Sequence, residues 1–246
     1  MNKDNFVILD IETNVLENMQ VDKHFHTIQI GATKITNGDF KNYHIFDAFI
    51  KTRYIEEYPE VGKPLTDFIK KLTKITQEQV DGAETFPEVW NKFLVFSAPY
   101  FEFFASWGKY DWDVLKRNCV YYDLPFPFKY HVNLKDYYKV IFKNEDVPMG
   151  AGVKAACNFF KIPFNEEGQH NGLKDAEMIT AIADAMVEKG FYTFKKSLYQ
   201  VQENLLIPVP NEFGGYTYKL NPILVKEWNK TQKRLDEIKY FMFGAN

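Results

Sequence analysis

The chain has 246 residues, 46% hydrophobic and 26% charged, with a net charge of −3 and a pI near 6.0. That is an ordinary globular composition, enough for one large domain with an appendage. It argues against a histone-like or coating role, in which basic charge must dominate affinity for nucleic acid. It leaves open an enzyme that meets a strand in one local groove. Cys119 and Cys157 lie far apart without a CxxC pair, so they read as two reduced thiols rather than a disulfide framework or a zinc site. No apolar run reaches membrane-spanning length and no charged region with a long apolar stretch opens the chain. The expectation is a cytoplasmic protein without a membrane partner.

Phe6-Val7-Ile8-Leu9 is a short run of β-formers and reads as a buried strand ending near Asp10. Thr27–Ile35 is a second strand and Asn37-Gly38-Asp39 a turn; His44–Ile50 is a third strand that completes a meander. From Pro64 the period changes, with Leu65, Phe68, Ile69 and Leu72 at helical spacing. Thr76 is a candidate cap for a short helix to Val80. Phe86–Phe96 is helical with Val89, Trp90, Phe93 and Leu94 on one face. Tyr100–Trp107 is a fourth strand, Asp111–Asn118 a helix, and Tyr130–Leu134 a short fifth strand. Val153–Phe160 is a helix. Asn171–Glu188 is a longer one, with Leu173, Ala176, Ile179, Ala183 and Met186 facing inward.

Three strands followed by helices alternating with two more predict an α/β domain with a mixed five-stranded sheet over residues 1–190. Beyond it the character changes. Aromatics and lysines crowd 191–206, Pro208 and Pro210 break the chain, and Gly214-Gly215 marks a turn. Lys226–Phe243 reads as an amphipathic helix, so 191–246 is expected to be a mostly helical extension docked on the domain. Its Trp228, Leu235, Ile238, Phe241 and Met242 are alternatively a homodimer seam, and its lysines a guide for a strand.

Asp10 and Glu12 end the first strand. With a side-chain period of two they project to one face while Ile11 points to the core. Two anions so close are costly unless a cation lies between them, although Asp-x-Glu alone is common in exposed strands. Asp111 opens a helix after Ser106-Trp107-Gly108, where α/β sheets place ligand chemistry; an acid there also simply complements the helix dipole. His170 and Asp175 would stand about 140° apart on one helix, so His170 is placed on the loop before it and Asn171 at the cap. Histidine as a residue type exchanges protons near neutral pH, which suits proton abstraction from water.

Ile8-Leu9-Asp10-Ile11-Glu12-Thr13, Tyr110-Asp111 with Val114-Leu115, and His170 to Ala176 as His-x-x-x-x-Asp-Ala together resemble the three motifs of the DEDDh, or DnaQ-like, family of 3′–5′ exonucleases. Ile28–Ala32 resembles the family's second strand. Leu72–Thr76, followed by Val80 and Thr85-Phe86-Pro87, resembles the segment before its second motif, and Ser106-Trp107-Gly108 is most similar to the RNA-trimming Eri-type and small bacterial subgroup. Any one motif is common; three in order at these separations are specific. The resemblance spans about residues 6–187, while Asn14–His24 is longer and more polar than a compact member needs.

The resemblance implies a ribonuclease H-like fold and a hydrolase that releases nucleoside 5′-monophosphates from single-stranded RNA or DNA 3′ ends, with RNA slightly favoured. Asp10, Glu12, Asp111 and Asp175 would hold two Mg²⁺ or Mn²⁺ ions, and His170 would take a proton from the attacking water. Leu16 and Leu72 would pack on the terminal base, Thr13 would lie near the 3′-OH, and Tyr110 would line the pocket. Two alternatives stand beside this reading. One is a DNA proofreading or repair exonuclease; the other is a non-catalytic nucleic-acid-binding module on a nuclease fold.

Overall fold

The computed structural model describes residues 5–14, 26–52, 64–100, 103–128, 130–141, 152–164, 166, 168–188, 206–210 and 216–220. The chain separates into two compact units, Met1–Phe191 and Tyr192–Asn246.

The first unit is built on a five-stranded sheet. Its strands are β1 (Phe6–Asn14), β2 (His26–Thr36), β3 (Asp39–Phe49), β4 (Phe103–Ser106) and β5 (Tyr130–Asn133), in the spatial order β3-β2-β1-β4-β5. β1, β2 and β3 form an antiparallel meander, while β4 and β5 run parallel to β1. The β2–β3 turn uses Asn37 (φ 56°) and Gly38 (φ 71°), the left-handed pair that matches strand twist in a two-residue hairpin. Pairing of β1 with β2 slips between Glu12 and Thr13, where Ile28 is the extra residue. A bulge here re-aims the end of β1.

The helices are α1 (Asp67–Thr73), α2 (Gln77–Asp81), α3 (Phe86–Ser97), α4 (Tyr110–Tyr121), α5 (Leu134–Ile141), α6 (Val153–Phe160) and α7 (Gly172–Glu188). Thr76 caps α2 through a reciprocal pair with Gln79, and Thr85 with Glu88 does the same at α3. On one face of the sheet, Val7, Leu9, Ile11 and Phe104 pack with Trp90 and Phe93 of α3 and Trp112 and Leu115 of α4. Trp90 is fully buried and donates its indole N–H to the Pro125 carbonyl at 2.9 Å. The opposite face is covered by α7, whose Ala176, Ile179, Ala183 and Met186 are buried as the helical period requires.

That closure is unusually tight at one point. A Cβ on Gly31 would lie 2.0 Å from the Gly172 carbonyl carbon and the Leu173 nitrogen, and one on Gly172 would lie 3.1 Å from the Asp10 carbonyl oxygen. Backbone therefore meets backbone, and the start of α7 sits directly on β1 and β2. Buried Gln29 locks it there: its amide oxygen accepts from Gly172 N at 3.0 Å while its amide nitrogen donates to Asp47 at 2.8 Å.

Four differences from the sequence reading have physical causes. β1 runs past Asp10 to Asn14, because β2 supplies ladder partners that far. β4 ends at Ser106, one residue before the expected Trp107, where Ser106 Oγ bonds the Gly108 carbonyl at 2.9 Å and the chain turns into α4. α5 was not expected: it begins at Leu134 with no linker after β5, and its Tyr, Val and Ile content favours a strand by local propensity.

The fourth concerns the second unit, where the sequence reading placed no strand. Its described residues form an antiparallel pair of strands, β6 (Leu206–Pro210) and β7 (Tyr216–Leu220). Pro208 and Pro210 fit a strand because they are two apart, so both missing N–H groups fall on the same, outer edge. The helix expected over Lys226–Phe243 lies outside the described residues.

Candidate active site

Each acid reaches the site from a different element. Asp10 and Glu12 share one side of β1, opposite the core-facing Ile11. Because β4 is parallel to β1, with Ile8 opposite Ala105, the end of β4 and the start of α4 lie beside the end of β1. There the backbone N–H of Ile11, between the two β1 acids, donates to Asp111 Oδ1 at 3.2 Å. Asp111 is only 5% exposed and Glu12 only 8%.

The third segment is His170–Asp175. His170 precedes α7 at φ 61°, a left-handed conformation that a side chain adopts only where context enforces it. Here the backbone N–H of His170 donates to Asp175 Oδ2 at 2.9 Å, and Asn171 Oδ1 caps the helix through Lys174 N at 3.1 Å. The loop-then-cap arrangement expected for His170 and Asn171 is what the structure contains. One donor atom each from Glu12, His170 and Asp175 lie within 4.8 Å of one another.

The electrostatics of this cluster are unfavourable as it stands. Asp10 is pushed well above the usual carboxylate range by desolvation, then by Asp111, Glu12 and Asp175. Glu12 is pushed up to about 8 by desolvation and by the charges of Asp175 and Asp111. Asp111 is raised by burial, against the opposing Ser106 side chain and Ile11 N–H. Desolvation also raises Asp175, less the effect of His170. Among the described residues, no lysine or arginine forms an ion pair with any of the four. Hard oxygen donors, crowded and without a protein cation, fit a divalent metal ion.

The pocket residues fall out unevenly. Thr13 and Tyr110 are brought together, Oγ1 to phenol oxygen at 2.8 Å. The Tyr110 hydroxyl is pushed up to about 12, chiefly by desolvation, although 45% of the residue is exposed. Leu72 is half-buried on α1, and Leu16 lies outside the described residues. Sequence reasoning passed over three polar residues that shape the site: Gln29, which fixes the start of α7; Ser106, quoted within a motif but given no role; and His131. His131 Nε2 lies 2.9 Å from Ser106 Oγ, and its ring rests 5.5 Å from both Phe104 and Trp112. Burial and the Lys109 charge hold it down at about 3. Strand alternation could have signalled it, since a polar residue in a short buried strand must find a partner.

A family profile described as RNase T, Exonuclease, matches residues 7–183. The chain belongs to this exonuclease family. Members with the DEDDh acids depend on divalent metal ions. Among curated relatives, a probable 3′–5′ exonuclease, KapD, of Bacillus subtilis is 26% identical over 129 residues, covering 52% of this chain and 60% of KapD. Human 3′–5′ exoribonuclease 1 is 32% identical over 142 residues, 54% of this chain and 40% of the enzyme. The match thus spans less than two thirds of either relative. The fold matches the nuclease domain of 3′hExo, a DEDDh family member bound to rAMP, with a TM-score of 0.66 at 24% identity over 76% of this chain and 93% of that one. It also matches the Mg²⁺- and Mn²⁺-bound form of S. pombe Pop2p, with a TM-score of 0.55 at 15% identity over 76% and 84%. The ribonuclease H-like sheet expected from the motifs is therefore shared with solved nucleases.

Proposed function

We propose that this member of the exonuclease family is a metal-dependent 3′–5′ exonuclease. It removes nucleoside 5′-monophosphates from single-stranded RNA ends, and from DNA ends at a lower rate. The observation that carries the reading is the meeting of Glu12, His170 and Asp175 donor atoms within 4.8 Å, beside Asp10 and Asp111. The relatives named for 3′–5′ exonuclease and exoribonuclease activity, and the neighbour bound to rAMP, support the direction and the RNA preference.

Asp10, Glu12, Asp111 and Asp175 would hold two Mg²⁺ or Mn²⁺ ions. When bound, these supply Lewis-acid stabilisation of the phosphate and of the leaving 3′ oxygen. His170 accepts a proton from the attacking water, from a backbone position fixed by its N–H bond to Asp175. Thr13 and Tyr110, joined through their hydroxyls, form one wall for the terminal nucleotide, and Leu16 and Leu72 offer apolar surface to its base. Stacking of that kind tolerates any base, so little base preference follows. We place the protein in the cytoplasm and assign 191–246 as a C-terminal extension able to pair two copies.

The test uses end-labelled single-stranded RNA and DNA with Mg²⁺, Mn²⁺ or EDTA. Degradation with metal, faster on RNA, is expected to vanish with EDTA and in Asp10→Ala and Asp175→Ala. If both variants degrade strands as fast as the parent protein, the assignment of the acids is wrong.

A further inference from the structure

We infer that His131 and Ser106 are positioning residues for Tyr110. Two hydrogen bonds in series, His131 Nε2–H to Ser106 Oγ and the Ser106 hydroxyl to the Gly108 carbonyl, hold the turn that presents Tyr110 to a terminal nucleotide. This role rests on the proposed place of Tyr110 in the nucleotide pocket.

The turn is short and pivots on a glycine. Trp107, Gly108 and Lys109 join the end of β4 to Tyr110, the first residue of α4. Gly108 sits at φ 124°, where its backbone has more freedom than any other residue would allow. Ser106 Oγ restrains it by donating to the Gly108 carbonyl at 2.9 Å.

Counting protons extends the chain to β5. The Ser106 hydroxyl carries one proton, and the Gly108 carbonyl, which can only accept, receives it. The 2.9 Å contact between Ser106 Oγ and His131 Nε2 therefore has the ring nitrogen as donor. Burial and the Lys109 charge keep His131 neutral, and a neutral imidazole has a single N–H. His131 is thus the Nε2–H tautomer. Sheet register makes the meeting possible. His131 pairs with Phe104, two residues before Ser106, so both side chains emerge on one face as diagonal neighbours. The ring rests 5.5 Å from Phe104 of β4 and from Trp112 in the first turn of α4. One residue of β5 therefore touches both sides of the turn.

What the turn delivers is Tyr110. Its hydroxyl lies 2.8 Å from Thr13 Oγ1 of β1, and the ring takes its direction from the backbone leaving Gly108. A serine hydroxyl can rotate between acceptors. With the His131 N–H on one lone pair, its proton stays on the Gly108 carbonyl. Loss of that donor loosens the turn and lets the phenol drift from Thr13.

His131→Phe keeps a ring between Phe104 and Trp112 but has no N–H. AMP titrated calorimetrically into the full chain with Mg²⁺ should bind this variant and Ser106→Ala about 2–10-fold more weakly than the parent, the worth of one hydrogen bond. KM for a single-stranded end should rise in step while kcat holds. His131→Gln, whose amide can donate from a similar reach, should recover most of the loss. In a Tyr110→Phe background His131→Phe should cost little more, because the Thr13 contact it protects is already gone. Equal losses in both backgrounds would make His131 aromatic filling and overturn the inference. So would a His131→Phe variant that binds AMP like the parent, or a parent that binds none. Long-range proton–nitrogen NMR of the parent, assigned through contacts to the Phe104 and Trp112 rings, should show Nε2–H; an Nδ1–H tautomer overturns the chain whether or not the variants fold. A parent that binds AMP yet leaves strands intact overturns only the exonuclease reading.

Discussion

Asp111 joins the acid cluster buried and held from β1, whereas His170 and Asp175 join it from a loop and a first helical turn that stay partly exposed. The difference lies in what each anchor uses. Asp111 is steadied by the backbone N–H of Ile11, which donates to its carboxylate. The His170–Asp175 arm is placed by backbone packing: Gly31 against Gly172 and Leu173, and Gln29 on Gly172 N. One side of the site is thus fixed by a hydrogen bond to the carboxylate itself, and the other by close approach of backbones with the Gln29 bond beside it. Substitutions should separate the two.

The largest effect is expected where no side chain can yield. Gly31→Ala puts a methyl 2.0 Å from two backbone atoms of α7, so the helix start must move off the sheet. Overpacking of this kind costs about 3 kcal/mol or more, and the displaced turn carries Asp175 and His170. Thermal unfolding should show a large loss of stability together with loss of strand cleavage. Unchanged cleavage would mean that the arm is not fixed by this contact. Gly172→Ala, facing 3.1 Å contacts inside a helix, should be far milder.

His170 can be probed without disturbing its backbone. Asparagine tolerates the left-handed conformation better than other side chains, so His170→Asn keeps the φ of 61° and the N–H bond to Asp175. On the proposed reading turnover falls about 10²–10⁴-fold, while affinity for a single strand and the unfolding temperature hold. Affinity lost in step with rate would make His170 a binding residue instead.

Much of this site was legible in the sequence because its acids lie on short, regular features. Alternation placed Asp10 and Glu12 on one side of β1, and the cap pattern put His170 before α7. The parts that were not legible depend on neighbours distant in the chain. Ser106 and His131 acquire a role only when β4 and β5 pair, and Gln29 only when α7 lands on β2. α5 was missed because tertiary packing overrides residues with strand propensity, and β6 because proline was read as a breaker before its two-residue spacing could be set against a partner strand.

The Asp111 anchor makes a pH-dependent forecast. Glu12 is raised to about 8 in the folded protein from an unfolded value of about 4.3, and Asp10 and Asp111 are raised too. Between those limits the native state keeps protons that the unfolded state has released. Stability of the metal-free protein therefore falls as pH rises from about 4.5 to 8. His131 acts with the opposite sign at the acid end, because it ionises on unfolding below about 6.5 but stays neutral in the fold. Asp111→Asn keeps an acceptor for the Ile11 N–H yet removes one charge. It should stabilise the EDTA-treated protein at pH 8 by on the order of 1 kcal/mol while abolishing the stabilisation that Mn²⁺ gives the parent. A variant no more stable than the parent at pH 8 would show that the acids do not repel as their crowding implies.

The smallest effect is expected at the Thr13–Tyr110 pair, which spans both anchors' common strand. Tyr110→Phe deletes one hydroxyl from a ring that is 45% exposed. A hydrogen bond with access to water contributes about 0.5 kcal/mol, the low end of the usual range, so unfolding should hardly shift. Any change belongs in substrate handling, because Thr13 Oγ1 loses its partner at 2.8 Å and is free to rotate away from the terminal sugar. KM for a single-stranded end should rise a few-fold with kcat nearly unchanged, since an interaction made equally in ground and transition states appears in KM alone. A fall in kcat at constant KM would instead place the Tyr110 hydroxyl at the reacting phosphate, beside Asp111 on the fixed side of the site.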